Sequence, residues 1–431
     1  MHRHHSSASG PVPPSPPETP STQHARSPST TAHPGATTTP AAKGLPRYVV
    51  AATLARTADG GAVLAIVLLV TTSGAPGWLA GLLGAAITAP HLLGPFIARR
   101  LDTAQDGRTV IAGACLLHGA TLAAAVLLYP LTWPIVPGLL LVASGLVGPL
   151  LTGGISSRLP AIAGTDRLSQ RRAQGWDVAT YGIAGTIGPS IVAAVSAWAD
   201  PAAASLMLAA AVFVAAAFVR LLPYAPPAAH PGEVPTPGRT LGMMAASGPL
   251  RRTLYLTMVV ALSVAALPIA AVASTGHLHI DPAAAGLLTA AYGLGGLAGS
   301  VGVMVRPFQA DADRLMTWLA VAVAGAMIGA TLASTFALAL ATYAVAGVLN
   351  SYFFAATLAA RSEYAPRQAR GQVFVWIGAL KITAGSAGTA LAGVLVTGTA
   401  QLPLALAATL IAVAVAASVI DRRIGRTPET A

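Results

Sequence analysis

Charge is the scarcest commodity in this chain. Only 9% of the 431 residues are Asp, Glu, Lys or Arg, against about 25% in an ordinary soluble domain, and the mean hydropathy is +0.67. A soluble globular enzyme is excluded on that ground. Aromatic residues are equally thin at 5%, so the 54% apolar content comes mainly from alanine, leucine and valine, with glycine abundant beside them. Such small residues let helices approach closely in lipid. Cysteine occurs once, as Cys115 inside an apolar run, which excludes a disulfide framework and leaves an inert buried thiol. A P-loop is lacking, so any energy source is an ion gradient. Clustered carboxylates or histidines at a membrane face are lacking too, and with them a membrane enzyme, a metal site and a cofactor. The closely spaced Asp311 and Asp313 are expected in a solvated loop. The formal charge of +11 is spread through short loops and makes no basic face for nucleic acid.

What the chain does have is length in apolar runs. A spanning helix needs about 20 apolar residues, and residues 47 to 420 shared among twelve spans give about 31 each with its loop. Punctuation by Gly, Pro and charge places spans near 48–71, 76–98, 108–129, 134–155, 173–198 and 202–222, then 254–275, 282–305, 315–334, 337–358, 371–397 and 401–420. Domain boundaries follow. Residues 1–46, rich in Pro, Ser, Thr and His without an apolar stretch, read as a disordered tail. Six spans fill 47–222, a Pro-rich connector 223–253, six more spans 254–420, and a short tail 421–431.

Arginine sets the orientation, since positive residues stay on the cytoplasmic side. With the N-terminus inside, the even-numbered loops collect fifteen arginines, from Arg99, Arg100 and Arg108 to Arg361, Arg367 and Arg370, and the odd-numbered loops hold no lysine or arginine. Both termini are therefore expected in the cytoplasm, with the protein in the cell membrane. Asp200 before Pro201 and Asp281 before Pro282 read as N-caps followed by proline at the first helical position. Trp78, Trp133, Trp198 and Trp318 fall at span ends, as interfacial anchors do. The halves also match at an offset of 200: Trp176 with Trp376, Gly185 with Gly385, Gly188 with Gly388. A parallel repeat of six and six spans places a site between the halves.

Ionisable residues inside spans cost roughly 2.5–3.5 kcal/mol each and need a partner, water or a function. Arg56 and Asp59 are three apart on one face of span 1. They either neutralise each other, or Asp59 carries a proton while Arg56 tunes it. Lys381, central in span 11, requires an anion. Asp177, near the inner end of span 5, is expected in water or paired with Arg171 or Arg172. His91 lies where span 2 could meet span 11, and His118 reads as a packing histidine.

Twelve spans, a long central connector and two six-span halves resemble the major facilitator superfamily over the whole chain after residue 46. Two motifs carry the resemblance further. Between spans 2 and 3, Gly94, Arg99, Arg100, Asp102, Asp106 and Arg108 look like the family's gating loop, although Ala98 stands at the usual acidic position, so a charge relay must use Asp102. In span 5, Gly175, Gly188 and Pro189 look like the glycine–proline signature of the drug:proton antiporter branch, and Gly185 with Gly188 is expected to form a smooth strip between the halves.

The resemblance implies an all-α integral membrane fold, two pseudo-symmetric six-helix bundles, and a monomer. It implies a cavity lined by spans 1, 4, 7 and 10, an interface of spans 2, 5, 8 and 11, and spans 3, 6, 9 and 12 facing lipid. Asn350, Ser351 and Tyr352, polar and aromatic on span 10, become candidate cavity residues. The expected function is secondary transport of a small molecule, with proton-coupled efflux of a lipophilic or amphipathic compound preferred. Uptake of a sugar or other metabolite is the alternative, and a non-transporting sensor a further one.

Overall fold

The computed structural model describes residues 40–281, 284–396, 399 and 401–424. The bulk of the expected N-terminal tail, Pro282 of the expected Asp281–Pro282 helix start and the chain after residue 424 lie outside them. Twelve helices are long and apolar enough to cross a membrane. We label them α1 (Pro40–Thr72), α2 (Gly77–Thr103), α3 (Gly107–Leu128), α4 (Ile135–Ile162), α5 (Arg167–Trp198), α6 (Pro201–Arg220), α7 (Gly248–Ala273), α8 (Ala285–Val305), α9 (Ala312–Thr331), α10 (Phe336–Tyr364), α11 (Arg367–Leu395) and α12 (Leu402–Ile424). No strand occurs among the described residues. α1 starts at Pro40, inside the segment expected as tail, and the connector contains a further short helix, Pro237–Ala246.

Helix starts follow their sequence signals. Asp106, Asp166, Asp200 and Asp311 each accept a backbone N–H from the first turn of α3, α5, α6 and α9, which satisfies donors that a helix cannot satisfy itself. Irregularities sit at prolines. α2 tightens to a 3-10 turn at Ala89–Leu93 around Pro90, and α4 widens to a π turn at Leu150–Gly154 after Pro149. A proline removes a backbone donor and crowds the preceding turn, so the ladder must adjust there.

Each half has its own apolar core. One is built from α1–α6 with Val375 of α11, and encloses Tyr48, Ile111, Leu122, Leu151 and Leu208; the other is built from α7–α12 around Leu256, Leu288, Met316, Tyr343 and Ile411. Glycine sets the closest approaches, and it does so in matching places. A Cβ at Gly145 of α4 would collide with the Ile87 carbonyl of α2, and one at Gly347 of α10 with the Tyr292 carbonyl of α8. Likewise Gly188 of α5 rests on Thr57 of α1, and Gly388 of α11 packs on Leu262 of α7. Trp78, Trp133, Trp198 and Trp318 are all exposed, as interfacial anchors require.

Candidate functional site

The buried charges do not pair as their spacing in the sequence suggests. Arg56 does not neutralise Asp59. Its guanidinium crosses to α5, where it meets Asp177 Oδ1 at 2.6 Å and Thr180 Oγ1, and to α4, where it reaches Ser156 Oγ at 2.8 Å and the Thr152 carbonyl at 3.2 Å. Asp177 is accordingly neither solvated nor paired with Arg171 or Arg172. It is fully buried, and its carboxylate also accepts from the Tyr48 hydroxyl at 2.6 Å and Ser156 at 2.8 Å. The Arg56 guanidinium lies 3.6 Å over the Tyr181 ring. This cluster ties α1, α4 and α5 together, and every polar group in it but Arg56 Nε has a partner. A three-residue spacing put Arg56 and Asp59 on one helix face, but an arginine side chain is long enough to prefer a better-placed carboxylate on a neighbour.

Asp59 instead faces His91 of α2, with Oδ1 and Nε2 3.5 Å apart. His91 Nδ1 sits 2.9 Å from the Ile87 carbonyl. A carbonyl only accepts, so Nδ1 carries a hydrogen, and in the neutral ring Nε2 then points a lone pair at the carboxylate. A comfortable contact requires one proton between Asp59 and His91. Gly148 of α4 presses on this pair; a Cβ there would lie 2.7 Å from Asp59 Oδ1 and collide with His91 Nε2. His118, bonded to Ser144 Oγ at 2.8 Å, lies behind in α3.

Three compartments of about 440, 350 and 200 Å³ meet at Phe354 and Lys381 in the middle of the molecule. They are lined by α1, α4, α7 and α10, and also by α5, α8 and α11; α3, α6, α9 and α12 contribute nothing to them among the described residues. Asn350 and Ser351 line them, the former accepted by the Tyr292 hydroxyl oxygen at 2.9 Å, the latter donating to the Gly296 carbonyl. Tyr352 does not. It turns towards α8, with its ring 5.3 Å from Phe308 and its hydroxyl against Gly302.

Lys381 lacks the carboxylate that its position was expected to require. Its Nζ stands 3.5 Å over the Phe354 ring and 5.4 Å over Tyr181, and it has no ion pair among the described residues. Ring faces return about 0.5–2 kcal/mol, less than the roughly 2.5–3.5 kcal/mol cost of such a charge in a membrane. Arg361, assigned from the sequence to a loop, is a second cation of this kind. α10 runs on to Tyr364, so Arg361 is 1% exposed and lines the same compartment as Arg56, Asp59 and Lys381. Two turns from Phe354 along the same helix, it was hidden by ending the apolar run at residue 358.

The gating-loop residues do three separate jobs. Asp102 of α2 accepts from the backbone N–H of Gly371 at 2.8 Å and of Gln372 at 2.9 Å in α11. After a 3-10 turn at Arg367–Ala369, the α-helical part of α11 starts at Arg370 with Ala369 as its N-cap, which has no side-chain oxygen to cap with, so the opposite half supplies the carboxylate, favoured further by the helix dipole. Arg99 donates to the Val234 carbonyl in the connector, and Gly94 packs on Pro149. Arg108 holds Asp106 and the end of α6 through the Leu222 carbonyl, and its guanidinium keeps the Asp106 carboxyl well below the usual carboxylate range. Arg100 is exposed.

At the same end, Arg171 of α5 pairs with Glu363 of α10 at 2.8 Å and donates to the Ala310 carbonyl, and Arg167 reaches Gln309. The halves are thus joined by polar contacts at the arginine-rich end. Asp313 is no loop residue in water; it is buried between Arg252 and Arg422.

The helix 5 signature also separates by position. Gly175 packs on Met304 of α8, and Gly182 on Leu297, which makes them the contact between halves. Gly185 opens onto the cavity, and Gly188 faces α1 within its own half, so these two do not form the expected strip between halves. Pro189 lies inside α5. No group of three or more His, Cys, Asp or Glu among the described residues could hold a metal ion.

No protein-family model matches the chain, and no curated protein matches its sequence. Solved structures do match its fold. The human organic anion transporter MFSD10 (TETRAN) superposes with a TM-score of 0.68 at 14% identity, over 88% of this chain and 99% of its own. A bacterial homologue of the iron transporter ferroportin, in an outward-facing state, gives 0.70 at 14% over 88% and 99%. The major facilitator superfamily transporter FucP, in the outward conformation, gives 0.65 at 13% over 86% and 98%. At such identities the likeness is one of fold: twelve helices in the arrangement of major facilitator superfamily transporters.

Proposed function

We propose that the protein is a secondary active transporter that moves a small molecule by alternating access, coupled to protons and directed outwards, as a monomer in the cell membrane with both termini in the cytoplasm. One observation carries the reading. A central cavity is lined from both halves, and the halves are held together at the arginine-rich end by Asp102 on α11 and by Arg171 on Glu363. Such contacts can be exchanged for contacts at the other end while each half keeps its own core, which is the geometry that rocking of two repeats requires.

Asp59 and His91 are the proton carriers in this proposal. In this reading they share one proton; Asp59 borders the cavity, and Gly148 leaves the room for their contact. The charged and titratable groups around them are Arg56 on α1, His118 on α3, Tyr181 on α5, Arg361 on α10 and Lys381 on α11. The pair would take its proton from the outer side and give it up inside, in alternation with cargo that crosses the other way through the cavity Asp59 borders. The reading of Asp59 as an acid held by Arg56 gives way to Asp59 held by His91.

The test is an accumulation panel of toxic compounds in an efflux-deficient host, comparing the intact protein with Asp59→Asn, with and without an uncoupler. Lower accumulation of a compound, abolished by the substitution and by the uncoupler, is expected. Accumulation unchanged across the panel would sink export and favour an uptake carrier. Full activity in Asp59→Asn would remove the pair from the coupling step.

A further inference from the structure

Two cations, the buried Arg361 and the half-buried Lys381, remain once the carboxylates around the cavity are accounted for. Asp177 is occupied on both oxygens by Arg56, Tyr48 and Ser156, and Asp59 faces His91. Among the described residues Arg361 makes a single long hydrogen bond, from a terminal nitrogen to Thr357 Oγ1 at 3.4 Å, and its Nε has no partner there although the residue is 1% exposed. Its guanidinium stands 5.8 Å from both the Phe354 and Phe374 rings. Lys381, one of only two lysines in the chain, rests on Phe354 and Tyr181. Arg361 and Lys381 line one compartment, which opens into a larger, mostly apolar one bounded by Val260, Val264, Pro268, Phe353 and Ile382. A cavity with this arrangement is incomplete without a negative charge, because a buried cation left unpaired destabilises the fold that holds it.

We propose that the cargo is an amphipathic organic anion. Its acidic headgroup sits between Lys381 Nζ and the Arg361 guanidinium, and its apolar body occupies the compartment between α7, α10 and α11. The guanidinium fork supplies paired donors for a carboxylate or sulfonate, and the lysine a compact point charge. A neutral cargo would leave both cations unmatched, and a cationic cargo would add repulsion in a medium of low dielectric. This inference deepens the transporter reading and rests on it only for the word cargo; the site itself stands on the two cations.

Three dansyl probes that share one fluorophore test it: dansylglycine, which is anionic, dansylamide, which is neutral, and dansylcadaverine, which is cationic. Binding to the purified full chain in detergent is read by dansyl fluorescence. Dansylglycine is expected to bind at least tenfold more tightly than the other two. Lys381→Gln and Arg361→Gln should each remove that preference, and Lys381→Arg should keep it. Because Arg361→Gln risks the fold, Lys381→Gln on the cavity wall decides the matter.

Equal binding of the three probes, or an anion preference retained in Lys381→Gln, would overturn the inference. Counterflow in liposomes preloaded with dansylglycine separates this from transport. Anion-selective binding with no exchange of any probe sinks the transporter reading and keeps the anion site. Exchange of dansylcadaverine without anion preference keeps transport and ends the anion proposal.

Discussion

At the scale of single residues, the two buried carboxylates of the first half have opposite characters. Asp177 is saturated with donors from two neighbouring helices, α1 and α4, and acts as a clasp; Asp59 faces His91 alone among the described residues. Removing the charge of the clasp strands Arg56 in the interior, at a cost of about 3–5 kcal/mol for a broken buried pair. Asp177→Asn should therefore lower the thermal stability of the detergent-purified protein markedly, and an unchanged melting temperature would show that Arg56 finds compensation elsewhere. The sequence showed that Arg56, Asp59, Asp177, His91 and Lys381 sit where charge is expensive. It did not show who pairs with whom, since the partners of Arg56 are 96 to 124 residues away. Burial of an ionisable group is legible from hydropathy; its long-range partner depends on packing that no local pattern encodes.

At the scale of helices, glycine decides distance. α8 and α10 approach so closely that Gly347 has the Tyr292 backbone where a side chain would go. Gly347→Val must push two backbones apart, and overpacking of this sort costs about 1–3 kcal/mol or more. Gly325→Ala on α9, where nothing lies within 4 Å, serves as the comparison. The expected outcome is a sharp fall in monodisperse yield and melting temperature for the first and none for the second; equal behaviour would mean the α8–α10 contact tolerates repacking. Helix number and order were readable because twelve apolar runs are separated by proline, glycine and arginine. Helix ends were less so. α1 begins at Pro40, and α10 carries its helix through Arg361 to Tyr364, where the burial of Arg361 and the contacts of Glu363 and Tyr364 extend it beyond the point where its own apolar pattern stops. The glycine strip of α5 was readable as a strip, but which side faced which neighbour depended on helix rotation, and Gly175 rather than Gly188 turned out to touch the opposite half.

At the scale of the whole molecule, the two halves have largely their own cores and are joined by polar contacts at one end and by an apolar cluster of Val178, Val303, Phe354, Leu358 and Phe374. Asp102 provides two charged hydrogen bonds to α11 and Glu363 an ion pair with Arg171, and each charged hydrogen bond is worth about 1.5–3 kcal/mol. Removing both in Asp102→Asn with Glu363→Gln should shift the population towards states separated at that end. Spin labels at the exposed positions Arg100 and Arg314, each replaced by cysteine, would report a longer distance component in the double variant; an unaltered distribution would show that the fastening lies elsewhere. Cys115, the sole cysteine, is fully enclosed in α3. Maleimides and methanethiosulfonates should pass it by, so the native chain is already a spectroscopic blank, and each thiol placed on its surface will speak alone.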